Sequence, residues 1–222
     1  MKNFLNYLGQ LRIYSFLDLI IFATALTKDL NTIIGIALLW LSFLFYLESR
    51  HNDEPRLRVN KYIWLAPFIF SLILLPILMC LGFAIFSFLY ANKKKGKFWG
   101  ASAPLWRGLQ NGVIAIWLSP QLAILAFVLT FIRNLVADFR DVYSDKQREI
   151  KTIPVLLGIN KNHVWAFYTH IIFVITTTMI WFNYSFLTTK FIVPIIILQL
   201  LFYPITPRLS NPKYLDIYNS FS

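Results

Sequence analysis

The chain has 222 residues, of which 58% are hydrophobic and only 14% charged, with a formal net charge of +11. Soluble domains carry about 25% charged residues, so this composition excludes one and points to an integral membrane protein. Mean hydropathy of +0.61 agrees, and the basic residues fall in the breaks between apolar runs, which assigns the excess charge to the membrane surface and not to nucleic acid.

Read in chain order, residues 1–16 form an interfacial lead-in, and Arg12 enters a first apolar span near 14–29 that contains Asp18. An aspartate there needs a partner, and Arg12 is one candidate. A second span, near 32–48, ends in a loop holding Glu48, His51, Asn52, Asp53, Arg56 and Lys61. The following apolar run, 62–90, is long for one span and short for two. The segments on either side of it are both basic, so both face the cytoplasm and the run crosses twice. This predicts short helices near 60–74 and 77–94 with Pro76 at the turn.

Residues 99–137 break at Leu118-Ser119-Pro120 into spans near 99–118 and 120–137. Arg107 then lies inside the first of these, where it either serves a site or snorkels to the interface. Two further spans near 162–183 and 187–205 precede a polar tail. The prediction is an all-α, polytopic transmembrane bundle of about eight helices, one membrane domain over 1–222, with both termini cytoplasmic. Under that topology Lys28 and Lys190 are the basic residues left outside. The single Cys80 excludes intrachain disulfides and speaks against a cysteine metal site. The first apolar run lacks the exit of a cleaved signal peptide, and further spans follow it.

The chain has ten acidic residues, and four of them, Asp138, Asp141, Asp145 and Glu149, lie between two long apolar regions. If the stretch stays helical, their spacing places all four on one face. Stacked carboxylates repel one another unless a cation shares them, and oxygen-rich clusters suit Mg²⁺. A solvated loop is the alternative. Arg140, Lys146, Arg148 and Lys151 supply cations nearby, so a metal-bridged diphosphate fits the combination. In a bundle rich in Phe, Leu and Ile, such a ligand would be a lipid carrying a diphosphate. Asn134 is placed by its spacing to orient Asp138. His163 and His170 read as packing or interface residues, and His51 as a loop residue.

The stretch resembles the second aspartate-rich region of the UbiA-type intramembrane prenyltransferases. That region looks like Asp-x-x-Asp-x-x-x-Asp, then a basic residue, Thr, Leu or Ile, Pro and a final Gly. Here Asp138, Asp141 and Asp145 fill the acidic positions, followed in register by Lys151-Thr152-Ile153-Pro154 and Gly158. The resemblance implies that the three acids bind Mg²⁺ and the prenyl diphosphate, and that Lys151 occupies the family's basic position. Arg133 sits where many members carry a basic or polar residue.

The family's first aspartate-rich region should fall where the second helix ends, and there the match departs from the pattern. One alignment uses Glu48, Asn52 and Arg56; another uses Asn52, Asp53, Glu54, Pro55 and Arg56 as a shortened tail. Between the two alignments, Glu48 and Asp53 are the candidate metal ligands, while Asn52 and Arg56 contact phosphate. Members usually have about nine helices, one more than predicted here, and the glycine usually found before the Lys-Thr portion is absent.

The implied activity is Mg²⁺-dependent transfer of a prenyl group from an isoprenoid diphosphate to an aromatic, quinone-like or lipid acceptor. Asp138, Asp141 and Asp145 would be catalytic, and Lys151, Arg140, Lys146, Arg107, Arg56 and Asn52 would bind diphosphate. The partners are then the donor, a hydrophobic acceptor and membrane lipids, with no nucleic acid. A lipid-binding protein of the same fold that has lost turnover is the second reading. A small transporter is the third, disfavoured by the clustering of acids at one face and by the lack of an internal repeat.

Overall fold

The computed structural model describes residues 12–50, 59–93, 97–159 and 164–203. Among these the chain is all α-helical, with eleven α-helices. They group into two compact units: one holds the described residues up to Pro76 and from Ile175 onward, the other runs from Ile77 to Val174.

The first unit opens with α1 (Ile13–Leu26), which ends where Thr27 adopts an extended backbone. Asp29 then caps α2 (Leu30–Ser49), its carboxylate accepting from the Thr32 backbone N–H at 2.8 Å and from the Thr32 hydroxyl. That cap satisfies donors the first helical turn leaves open, and the Thr32 hydroxyl, as the largest cause, holds the Asp29 carboxyl below its ordinary range. Twenty residues of helix reach about 30 Å, the thickness of a bilayer core.

Helix α3 (Leu65–Leu74) packs closely on α2, because a Cβ at Gly35 would lie 2.6 Å from Leu75 Cγ. The Ser42 hydroxyl donates to the Trp64 carbonyl at 2.9 Å and fixes the turn before α3. The second half of α10 (Val164–Tyr184) and all of α11 (Ile192–Phe202) complete the unit. Phe22 and Trp181 meet edge to face at 4.9 Å. Buried Asp18 accepts from the Thr178 hydroxyl at 3.2 Å, and the Gln199 amide donates to Thr178 at 2.7 Å. Polar side chains inside an apolar bundle are thus satisfied by one another.

The second unit is built on α4 (Ile77–Ala91), α6 (Ala103–Leu118) and α7 (Ala123–Arg140). Helix α6 meets both of the others at small residues: a Cβ at Gly82 would come 2.9 Å from Val113, and one at Gly108 would come 2.9 Å from the Phe127 ring. The short helices α5 (Lys97–Ala101), α8 (Val142–Gln147) and α9 (Ile153–Leu156) and the first half of α10 fill out the unit.

The predicted breaks are present. Leu75 is extended just ahead of Pro76, so 62–90 is not one long helix. Ser119 breaks α6 from the short 3₁₀ turn Pro120–Leu122 that leads into α7. Three helices are long and apolar enough to cross a membrane, Leu30–Ser49, Pro120–Arg140 and Val164–Tyr184, and four shorter helices are apolar. Large apolar side chains such as Ile73 and Ile124 are more than 70% exposed. Lipid-facing surface accounts for them, and this pattern is that of a multi-pass membrane protein.

Candidate functional site

The acidic stretch departs from a continuous helix at its second aspartate. Helix α7 closes at Arg140, Asp141 takes φ −99° and ψ 9°, and α8 begins at Val142. Glu149 lies in the left-handed region at φ 57° and is exposed. The four carboxylates therefore do not share one face. Asp141 turns to its neighbour, and Arg140 grips it with two bonds, Nε to Oδ1 and Nη2 to Oδ2, both 2.7 Å. Arg140 Nη1 also stands 3.4 Å from Nδ1 of buried His170.

Asp138 and Asp145 are nevertheless brought together, by Lys93. This residue lies just beyond the end of α4, in a turn closed by its N–H on the Tyr90 carbonyl at 3.0 Å. Its Nζ donates to Asp138 Oδ1 at 2.6 Å and pairs with Asp145 Oδ2 at 3.4 Å. Both aspartates are buried. Burial works against the Lys93 ammonium, yet Asp138 and Asp145, with Tyr90 adding to them, outweigh it and hold its pKa well above the lysine range. At Asp145 burial is the largest effect. With repulsion from Asp138 and Asp141 it pushes the carboxyl up to about 6, against the pull of Lys93.

Arg107 is buried within α6 and does not snorkel to solvent. It donates to the Gln110 side-chain carbonyl, and the Gln110 amide donates to the Ser87 hydroxyl. Its guanidinium lies over the Tyr90 ring, 5.5 Å from the centroid. Tyr90 thus carries Arg107 over its ring and accepts the Lys93 backbone N–H at its carbonyl.

The Lys151-Thr152-Ile153-Pro154 run has a structural origin. Thr152 is extended and precedes α9, and Pro154 sits in the first turn of that helix, where its missing N–H costs nothing. Gly158 follows at φ 81°, a conformation that favours glycine at a helix end. The backbone of Lys151 is pressed on Gly100, where a Cβ would come 2.5 Å from the Lys151 carbonyl oxygen. The Lys151 and Lys146 side chains are exposed. The Thr152 hydroxyl is buried without a hydrogen-bond partner, as are Asp138 Oδ2 and Asn92 Oδ1. Asn134 donates to the Thr130 carbonyl at 2.9 Å, its own helix and not Asp138.

Glu48 belongs to the other unit, where it is buried and lies 3.7 Å from Arg12 Nη2. Asn52, Asp53 and Arg56, with His51 and His163, lie outside the described residues. Among the described residues no group of three or more His, Cys, Asp or Glu draws together as a metal site. The acids that Lys93 joins are two: Asp138 Oδ2 has no hydrogen bond, and Asp145 Oδ2 has only its ion pair with Lys93. Two carboxylates suit an ion such as Mg²⁺ that completes its shell with phosphate and water. The expected third ligand, Asp141, is held by Arg140 instead.

Lys93 is the residue that sequence reasoning missed. Its only signal was position, in the basic segment after an apolar run, which reads equally well as a membrane anchor. Comparison of the chain with protein-family models, with curated proteins and with solved structures gives no match in any of the three.

Proposed function

We propose that this chain is an intramembrane prenyltransferase. It moves an isoprenoid group from its diphosphate to a hydrophobic acceptor, aromatic, quinone-like or lipid, and releases diphosphate. The observation that carries this reading is the buried Asp138–Lys93–Asp145 cluster, set at the ends of apolar helices with Arg107 held close to the same tyrosine. Charged groups are expensive in such surroundings and are retained where they handle a charged ligand.

Asp138 and Asp145 would hold Mg²⁺, which when bound neutralises phosphate oxygens and so eases departure of the diphosphate. Arg107 cannot deprotonate and is fixed by Gln110 and Tyr90, so it serves as a preset anion clamp. Lys93 supplies a second cation on a flexible stem. As the allylic C–O bond breaks, its electron pair leaves with the diphosphate. Apolar side chains keep water from the carbocation until a carbon or oxygen of the acceptor bonds to it and gives up its proton, which leaves with the diphosphate or to water. The charge bias of the loops supports a cytoplasmic site with cytoplasmic termini.

The second reading, an isoprenoid-binding protein without turnover, is favoured by one observation: an ammonium of the chain itself already stands between the two acids. The test incubates purified protein with Mg²⁺ and a panel of prenyl diphosphates, following diphosphate release and product mass. Turnover that Asp138→Asn abolishes supports transfer. No release from any donor, with Asp138→Asn behaving as wild type, sinks it.

A further inference from the structure

Two carboxylates buried together must be protonated or share a cation. Lys93 Nζ meets that need at 2.6 Å from Asp138 and 3.4 Å from Asp145. The neutralisation is incomplete, however. Asp138 is only 5% exposed, yet its Oδ2 has no hydrogen-bond partner. Asn92, 3% exposed and adjacent to Lys93, also buries its side-chain oxygen without one. An ammonium offers one charge and three donors, whereas a divalent ion offers two charges and accepts six or more oxygens. Acceptors thus remain that the lysine does not use.

The lysine is also built to leave. It sits beyond the last residue of α4, on a turn and not within the helix, and its side chain retains 19% exposure while the acids are nearly closed off. Four methylenes let the ammonium swing outward without moving the backbone.

We propose that Lys93 is an exchangeable counter-cation: it holds Asp138 and Asp145 together in the ligand-free protein and yields them to a divalent cation. The displaced ammonium then meets the anionic ligand that the cation brings. This rests on the proposed function in identifying that anion as a prenyl diphosphate; the exchange itself does not require it.

The test measures binding of Mn²⁺ alone to detergent-purified protein, from the electron paramagnetic resonance signal of the free ion. Lys93→Met should bind Mn²⁺ at least about tenfold more tightly than wild type, since close charge pairs couple by more than a tenfold factor. Lys93→Arg should bind no more tightly than wild type, and adding Asp138→Asn to Lys93→Met should abolish the gain. Equal or weaker binding by folded Lys93→Met overturns the proposal, as does a gain that survives Asp138→Asn.

Should Lys93→Met fail to fold, wild type decides. Mn²⁺ should raise modification of Lys93 by an amine-reactive reagent, read by peptide mass, and unchanged or reduced labelling overturns the exchange. Mn²⁺ that displaces Lys93 in a protein releasing no diphosphate from any donor would retain the exchange and remove the transferase reading.

Discussion

Lys93 Nζ lies 2.6 Å from Asp138 Oδ1 across 45 residues of sequence, and this pair closes the end of α4 onto the end of α7. Removing one partner of a buried pair leaves the other charge uncompensated, which costs about 3–5 kcal/mol. Without added metal, Lys93→Met should lose stability of that order, and Asp138→Asn in the same chain should recover most of it. Denaturant unfolding in detergent measures both. Additive losses in the double variant would show that the two residues act separately.

Asp138 and Asp141 are expected to differ in their effect on turnover. Asp138 is buried with a free acceptor oxygen, whereas both oxygens of Asp141 are taken by Arg140. Asp138→Asn should abolish measurable diphosphate release, while Asp141→Asn should lose only about 10–100-fold, as supporting groups around a site do. Initial rates with one prenyl diphosphate at saturating Mg²⁺ give the comparison. Equal losses would restore a three-acid site.

Gly100 predicts a packing effect. A Cβ there meets the Lys151 backbone at 2.5 Å, and backbone cannot rotate away. Gly100→Ala should cost about 1–3 kcal/mol by overpacking and should lower donor turnover by shifting the run from Lys151 to Pro154. Gly112→Ala is the control, since its nearest atom would be 3.6 Å away. Melting midpoints of the two variants should separate clearly.

Asp145 predicts a pH dependence. Its carboxyl has an ordinary pKa of 3.8 when unfolded and is pushed up to about 6 in the folded chain, chiefly by burial. Between those values the folded state holds the additional proton, so stability from this group is full below the lower value and is lost as pH rises through about 6. Asp145→Asn should remove that slope. Wild type should lose up to about 3 kcal/mol relative to the variant between about pH 4 and pH 7. Parallel stability curves over that range would exclude it.

The apolar spans and their breaks were legible in the sequence because each is a local property. Pro76 and Ser119-Pro120 end helices by their own backbone chemistry, and Asp29 caps α2 with its own side chain. The site was legible only in part. Asp138 and Asp145 are candidates that do converge, but the helical face that suggested them is interrupted at Asp141, where Arg140 competes for the carboxylate. The ammonium that joins the pair comes from another helix end, and spacing along one helix carries no information about it. Arg107 was visible as a charge inside a span, whereas its support by Gln110, Ser87 and Tyr90 depends on how α4 packs against α6.

The division at Pro76 has a consequence for where this protein can reside. Helix α3 has 10 residues and α11 has 11, so each rises only about 15–17 Å, roughly half of a 30 Å hydrocarbon core. Their exposed apolar side chains, among them Ile69, Phe70, Val193 and Leu201, must still be met by acyl chains. A bilayer around them has to thin locally, at a cost that grows with every ångström of mismatch. Short-chain lipids should therefore stabilise the protein and long-chain lipids strain it, which makes membrane thickness a control on this fold.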